Sequence, residues 1–171
     1  MPAPEGDDPG IILETPVGPL AVHGGRHGVT RVRWLVEGAP EPVSGEGHAL
    51  LDRARAVLTL YLLDPRLPLR GVPLAAVPAT RFQWRVWRAM RAIPPGHPMT
   101  YGELASRLGS SPRAVGNAAA ANPWPLLVPC HRGVGREGLG GYMGERGEGP
   151  RTRIKRWLLE QERGTGNGGG A

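Results

Sequence analysis

The residues whose types and spacing could do chemistry lie close together: Pro129-Cys130-His131-Arg132, preceded by Asn122-Pro123-Trp124-Pro125 and the apolar run Leu126 to Val128. A thiol attacks as its thiolate, and at an ordinary pKa of about 8.5 only a few per cent is ionised at neutral pH. Such a cysteine needs a base, and His131 is the neighbour that could serve. If 130–131 lie on an extended strand, their side chains point to opposite faces, which favours a bridging water over direct contact. The bland alternative is a small buried hydrophobe beside a satisfied imidazole, a common fate for free cysteines.

Cys130 is the only cysteine of the 171 residues. That excludes an internal disulfide and any multi-cysteine metal cage, so no metal or cofactor is expected. It also leaves no resolving thiol, so a covalent product on Cys130 could not be removed by internal exchange.

Charge is unevenly placed. Residues 1–80 carry seven Arg against nine acids, whereas residues 81–171 carry thirteen Arg and Lys155 against six acids. A basic second half suggests a polyanion partner, and the arginine fork suits phosphate oxygens, although a solvated basic surface would have the same composition. No window is apolar enough to span a bilayer, and the acidic N-terminus is unlike a signal peptide. The expectation is a cytoplasmic protein with no membrane partner.

The elements that must position these groups fall into an α/β two-lobe fold. Residues 11–36 read as strands separated by the turn signals at 16–19 and 24–28, a small antiparallel sheet. Residues 48–63 carry Leu51, Ala54, Leu58, Tyr61 and Leu62 at helical spacing. Residues 65–79 are broken by prolines and read as extended. This N-terminal lobe covers 1–78, with 1–10 expected to be disordered.

The second lobe, 79–163, reads as mostly helical, with a flexible tail at 164–171. Thr80 and Gln83 form a capping-box pattern before a helix with Phe82, Val86, Trp87, Met90 and Ile93 on one face. Thr100 and Glu103 form another, before a short helix ending at Gly109. Ser111-Pro112 supply an N-cap and a first-turn proline for a third helix, RAVGNAAAA. Two short helices joined by a tight glycine turn read as a helix-turn-helix, in a winged-helix-like arrangement. The small residues of the second helix suit either tight internal packing or close approach to another backbone.

Pro129-Cys130-His131-Arg132, with Asn122-Pro123 at this spacing, resembles the active-site signature of the O6-alkylguanine-DNA alkyltransferases, the methylated-DNA–protein-cysteine methyltransferases. The likeness continues through FQWRVWRAMRAIPPG, MTYGELASRLG, SPRAVGNAAAANP, GGY at 140–142 and IKRWLLEQE at 154–162, and the ETPVGPL opening is similar too. The resemblance implies direct repair of DNA. An alkyl group passes once from O6-alkylguanine, or O4-alkylthymine, to Cys130, and S-alkylcysteine remains.

By that resemblance Glu162 orients His131 in a Cys-water-His-Glu relay. Asn122 is the hinge between the DNA-binding helix and the active-site strand, and Tyr101 contacts the target nucleotide and donates a proton to the departing guanine. Arg113 fills the gap left by the extruded base. Ala114, Gly116, Asn117 and Ala118 lie against the minor groove, together with Tyr101. Val128, Pro129, Tyr142 and Met143 line the substrate pocket. The partner is double-stranded DNA containing alkylated guanine, bound by a monomer, with cooperative assembly along DNA left open. Gly133 stands where the family has a β-branched residue and would loosen the strand carrying the nucleophile. The segment between Tyr142 and Trp157 is longer than the family's loop. Three other readings remain: a lesion-binding relative without transfer activity, which Cys130 argues against, a helix-turn-helix transcription regulator, and a cysteine hydrolase using Cys130 and His131, which leaves the basic helix-turn-helix without a purpose.

Overall fold

Short apolar runs bounded by turn residues build the first of two compact units, Met1–Pro78. The computed structural model describes residues 8–36, 38, 43–44 and 48–164. Strands β1 (Gly10–Leu13), β2 (Leu20–Gly25) and β3 (Gly28–Trp34) pair antiparallel in the order β1-β2-β3, with a bulge between His23 and Gly24. Helix α1 (Ala49–Leu63) turns Leu51, Ala54, Leu58 and Tyr61 inward and packs against the sheet. The proline-broken stretch, expected to be extended, opens instead on a turn in which Leu67 N–H donates to the Asp64 carbonyl (2.9 Å), and its later part adds one bridge to the sheet. Val29 N–H donates to the Pro73 carbonyl (2.8 Å) and Ala75 N–H to that of Val29 (2.9 Å).

The ends differ from expectation where they are described. Residues 8–10 are held in place: Gly10 belongs to β1, Gly24 N–H donates to the Pro9 carbonyl (3.0 Å), and Thr30 Oγ1 donates to Asp8 Oδ2 (2.7 Å). An edge strand ties the terminus down, which composition alone does not reveal. Gly164 closes the last helix. Residues 1–7 and 165–171, the rest of the expected disordered ends, lie outside the described residues.

The second unit, Ala79–Ala171, carries the local signals that sequence chemistry requires. Helix α2 (Arg81–Arg91) begins with a complete capping box, Gln83 N–H to Thr80 Oγ1 at 3.0 Å and Thr80 N–H to Gln83 Oε1 at 2.9 Å. Helix α3 (Tyr101–Leu108) begins with the same device from Thr100 and Glu103, directly after the short strand β4 (Met99–Thr100). It ends at Gly109 with φ of 64°, a left-handed C-cap that reverses the chain at no steric cost. Helix α4 (Pro112–Ala120) follows, with Ser111 Oγ accepting from Ala114 N–H. Strand β5 (Gly133–Val134) runs parallel to β4, and α5 (Pro150–Gly164) completes the unit.

Three tryptophans fix α4 against α2. The ring centres of Trp84, Trp87 and Trp124 lie 5.3 to 5.6 Å apart. Trp87 Nε1–H donates to the Ala118 carbonyl at 2.8 Å. That carbonyl is in the last turn of α4, where the helix leaves its own acceptors unsatisfied, so the indole supplies the partner that the helix cannot. Trp87→Phe keeps most of the buried ring but orphans this carbonyl. We expect a loss of about 1–3 kcal/mol in unfolding free energy, read from chemical denaturation.

Candidate active site

Cys130 lies on a tight turn and not on a strand. Pro129 has φ −77° and ψ 66°, an inverse γ-turn, and Cys130 N–H donates back to the Val128 carbonyl at 2.7 Å. Arg132 N–H then donates to the Pro129 carbonyl at 3.0 Å, so Cys130–Arg132 form one turn of 3-10 helix before β5. The expectation of an active-site strand is corrected here: the Pro129 ring fixes only φ, and the Cys130 N–H bond to the Val128 carbonyl together with the burial of His131 and Arg132 on Glu162 selects the turn. Asn122 secures the turn from the far side. Its Nδ2 donates to the Val128 carbonyl (2.9 Å) and its Oδ1 accepts from Trp124 N–H (2.9 Å).

The turn sends its three side chains in different directions. Cys130 is at the wall of a cavity of about 480 Å³, with Tyr101, Tyr142 and Met143 also lining it. His131 is fully buried, and its Nε2 sits 2.7 Å from Glu162 Oε1 on α5. A carboxylate at that distance makes Nε2 the protonated nitrogen and leaves the basic lone pair on Nδ1. Arg132 grips the same carboxylate through Nε (3.1 and 3.2 Å) and Nη2 (2.9 Å), while its Nη1 donates to the Ile93 carbonyl (2.8 Å).

Electrostatics follow from that packing. Burial alone would push Glu162 up, but hydrogen bonds from His131 and Arg132 and the guanidinium charge of Arg132 outweigh it and hold the carboxyl at about 2. Burial pushes His131 down, and the guanidinium of Arg132 and the ammonium of Lys155 reinforce burial against the pull of Glu162. Arg132 therefore balances the carboxylate, and His131 stays neutral, the form a base requires. Burial pushes the Cys130 thiol up, while Asn122 and the Lys155 charge pull against it without cancelling it. The resting sulfur is thus a thiol, and it could attack only after losing its proton.

Sequence reasoning missed Lys155. It is fully buried beneath the cavity, where Nζ donates to the carbonyls of Gly133 (2.6 Å) and Gly141 (2.8 Å) and to Tyr101 Oη (3.3 Å). Burial lowers it to about 8, while burial and the nearby Cys130 raise Tyr101 to about 12. The signal was available: Lys155 is the single lysine, spaced three and seven residues before the inward-facing Leu158 and Glu162. Arg132 was in view as part of a motif, yet nothing in the sequence paired it with Glu162.

Other expected site residues divide. Arg113, Gly116 and Asn117 line the cavity together with Ala119 and Ala120. Ala118 is buried against Trp87 and cannot lie on a DNA-facing surface, because helical period places it on the opposite side of α4. Ala114 is half-buried and does not line the cavity. A Cβ added at Gly116 would meet nothing within 4 Å, so its smallness serves no packing inside the chain. Val128 and Pro129 are buried framework and lie outside the cavity wall, since the Val128 carbonyl is occupied by Asn122 and Cys130. Gly133 makes room: a Cβ there would stand 2.9 Å from Tyr101 Cε1 and 3.1 Å from Met90 Cε. The glycine thus lets the phenol close over β5.

Tyr142 and Met143 belong to a two-residue hairpin. Tyr142 and Glu145 exchange backbone hydrogen bonds (3.0 and 2.9 Å), and Met143 (φ 49°) and Gly144 (φ 82°) both take positive φ. A type I′ turn requires that geometry and favours Asn-Gly, so a methionine here costs about 1–2 kcal/mol. Its sulfur lies 3.8 Å from Cys130 Sγ. Glu145 anchors the hairpin by accepting from Thr152 N–H at the start of α5 (2.8 Å).

Residues 81–164 match the family model described as the DNA-binding domain of 6-O-methylguanine DNA methyltransferase. A Thermus thermophilus protein named DNA base-flipping protein is 36% identical over 151 residues, covering 88% of this chain and 97% of its own. The chain belongs to the O6-methylguanine-DNA methyltransferase family. A Mycobacterium tuberculosis methylated-DNA–protein-cysteine methyltransferase is 35% identical over 164 residues, 88% of this chain and 90% of its own. The structure of Mycobacterium tuberculosis OGT in complex with DNA superimposes with a TM-score of 0.74 at 34% identity, covering 90% and 92% of the two chains. The methyltransferase family's two-lobe fold, with its three-stranded antiparallel sheet and helix-turn-helix, is thus the fold of this chain.

The buried trio has a pH signature. Glu162 sits below its usual 4.5, so its contribution is full above pH 4.5 and is lost as pH falls towards about 2. His131 sits below its usual 6.5, so the unfolded chain takes up a proton first, and stability already declines as pH falls through 6.5. Two acid steps are expected in denaturant midpoints measured against pH. Glu162→Gln should lose the lower step, and at neutral pH it should cost about 3–5 kcal/mol because Arg132 is left buried without its counter-charge.

Proposed function

We propose that this protein repairs DNA by accepting an alkyl group from O6-alkylguanine on Cys130, once per molecule. The observation that carries this is the single thiol at the wall of a cavity, backed by a buried neutral imidazole and an ionised carboxylate. His131 takes the thiol proton at Nδ1 through a bridging water, since the two side chains leave the turn in different directions, and the sulfur attacks the alkyl carbon in line with the carbon–oxygen bond. The S–C bond forms as the C–O6 bond breaks, and the electron pair passes to the guanine. The leaving base regains a proton from the Tyr101 phenol, whose raised pKa keeps it protonated until then. Lys155, bonded to the phenol oxygen, can return that proton. The thioether is stable, and no second cysteine exists to release it.

The DNA partner is supported by the basic second half and by the α3–α4 pair beside the cavity. A base must leave the stack to reach a buried thiol. Exposed Arg113 and Asn117, with half-buried Gly116 between them, present one strip of α4 for close approach to the groove from which it leaves. The second reading, a lesion-binding protein without transfer, draws on the base-flipping relative, whose name says nothing of a methyl acceptor. Cys130 and its relay favour transfer.

Intact-protein mass spectrometry tests both. After incubation with a duplex containing one O6-methylguanine, the wild type should gain a single methylene, mapped to Cys130 and absent in Cys130→Ser. No gain, with tighter binding to the damaged duplex than to its undamaged twin, would move the lesion-binding reading to first place. Met143 supplies a further expectation, since its thioether stands against the acceptor sulfur. Met143→Ala should accept a benzyl group from O6-benzylguanine about tenfold faster than the wild type, measured as the rate of mass gain.

A further inference from the structure

The cavity lies between helix α4 on one side and the hairpin segment 141–146 on the other, with Cys130 at its wall. Each side contributes one arginine. Arg113 is exposed on the first turn of α4, and Arg146 is exposed immediately after the hairpin. Among the described residues neither guanidinium has a hydrogen bond or an ion pair. The adjoining Arg156 contrasts with them, being held by Glu148 at 2.6 Å. Arg146 is also placed, not merely nearby. Glu145 before it is locked to α5 through Thr152 N–H, and the Arg146 stem lies close to the Cα of Gly141, where an added Cβ would be 3.9 Å from Cγ. Two uncompensated cations at one mouth raise each other's energy, and an anion held there relieves it.

We propose that Arg146 is a phosphate-binding residue, whose guanidinium takes a backbone phosphodiester of the DNA strand whose nucleotide enters the cavity. Arg113 holds the other side of the mouth. A nucleotide drawn to Cys130 brings its flanking phosphates to this rim, and the arginine fork matches phosphate oxygens in two-point contact. The proposal rests on the alkyl-acceptor reading, and it adds a contact from the hairpin side to those expected of α4.

The test is the salt dependence of binding to a duplex containing one O6-methylguanine, measured by fluorescence anisotropy for the wild type, Arg146→Gln, Arg146→Lys and Arg156→Gln. Each phosphate contact contributes about 0.9 to the slope of log affinity against log salt. Arg146→Gln should lower the slope by about 1, and Arg146→Lys should restore it. Arg156→Gln removes the same charge from an already paired position and should keep the wild-type slope. An unchanged slope in Arg146→Gln overturns the proposal, and so does an equal fall in both Gln variants, which would mark general charge alone. Methyl transfer is weighed on the same wild-type sample. Binding without transfer would overturn the alkyl-acceptor reading and leave the slopes to decide Arg146 separately.

Discussion

A carboxylate sealed in the protein interior is tolerable only when its charge is met, and Glu162 is met twice. Arg132 grips it with both Nε and Nη2, and His131 donates Nε2–H to it. The three residues come from two elements, the 130–132 turn and α5, and Arg132 reaches a third segment through the Ile93 carbonyl. Removing any member leaves a buried polar group without its partner, so the cluster is all or nothing. The position of Cys130 depends on it, because the same short turn carries both the anchor and the nucleophile.

That constraint explains the division of labour among consecutive residues. A 3-10 turn separates side chains by about a third of a revolution, so one faces the cavity while the next two face the core. Chemistry and anchoring are thereby combined in three residues. Asn122 plays a matching part on the other side by binding the Val128 carbonyl, which also accepts from Cys130 N–H. Through it the end of α4 and the nucleophile's turn share a single acceptor. A displacement of α4 would be felt at Cys130 through this carbonyl.

The second unit contains features that lower local stability. Met143 occupies a left-handed position better suited to asparagine or glycine, Leu126 takes a φ of 72° although fully buried, and Lys155 is buried with a lowered pKa. Local strain and buried charge gather where geometry is held for chemistry. The tryptophan cluster and the two capping boxes, all in the same unit, offset them.

Local chemistry was legible in the sequence. Both capping boxes, the glycine C-cap at Gly109 and the Ser111-Pro112 start depend on neighbours within a few residues, and each formed where the residues indicated. The motif around Cys130 likewise pointed to the site, because signature and spacing survive in one dimension. The Glu162–His131 contact was expected only through the family resemblance, and the other contacts between distant positions were not legible in the sequence. The Glu162–Arg132 pairing, the Lys155 contacts with Gly133 and Gly141, the burial of Ala118 and the place of Arg146 at the cavity mouth join segments far apart in the chain. Whether Pro129-Cys130 would turn or extend was also decided by tertiary structure, since the buried Glu162 and the Val128 carbonyl select the turn. The sequence by itself determined which residues begin and end the helices and which thiol is available. Only the packed chain decided which charges meet and which way each side chain faces, because those energies exist only when separate segments are brought together.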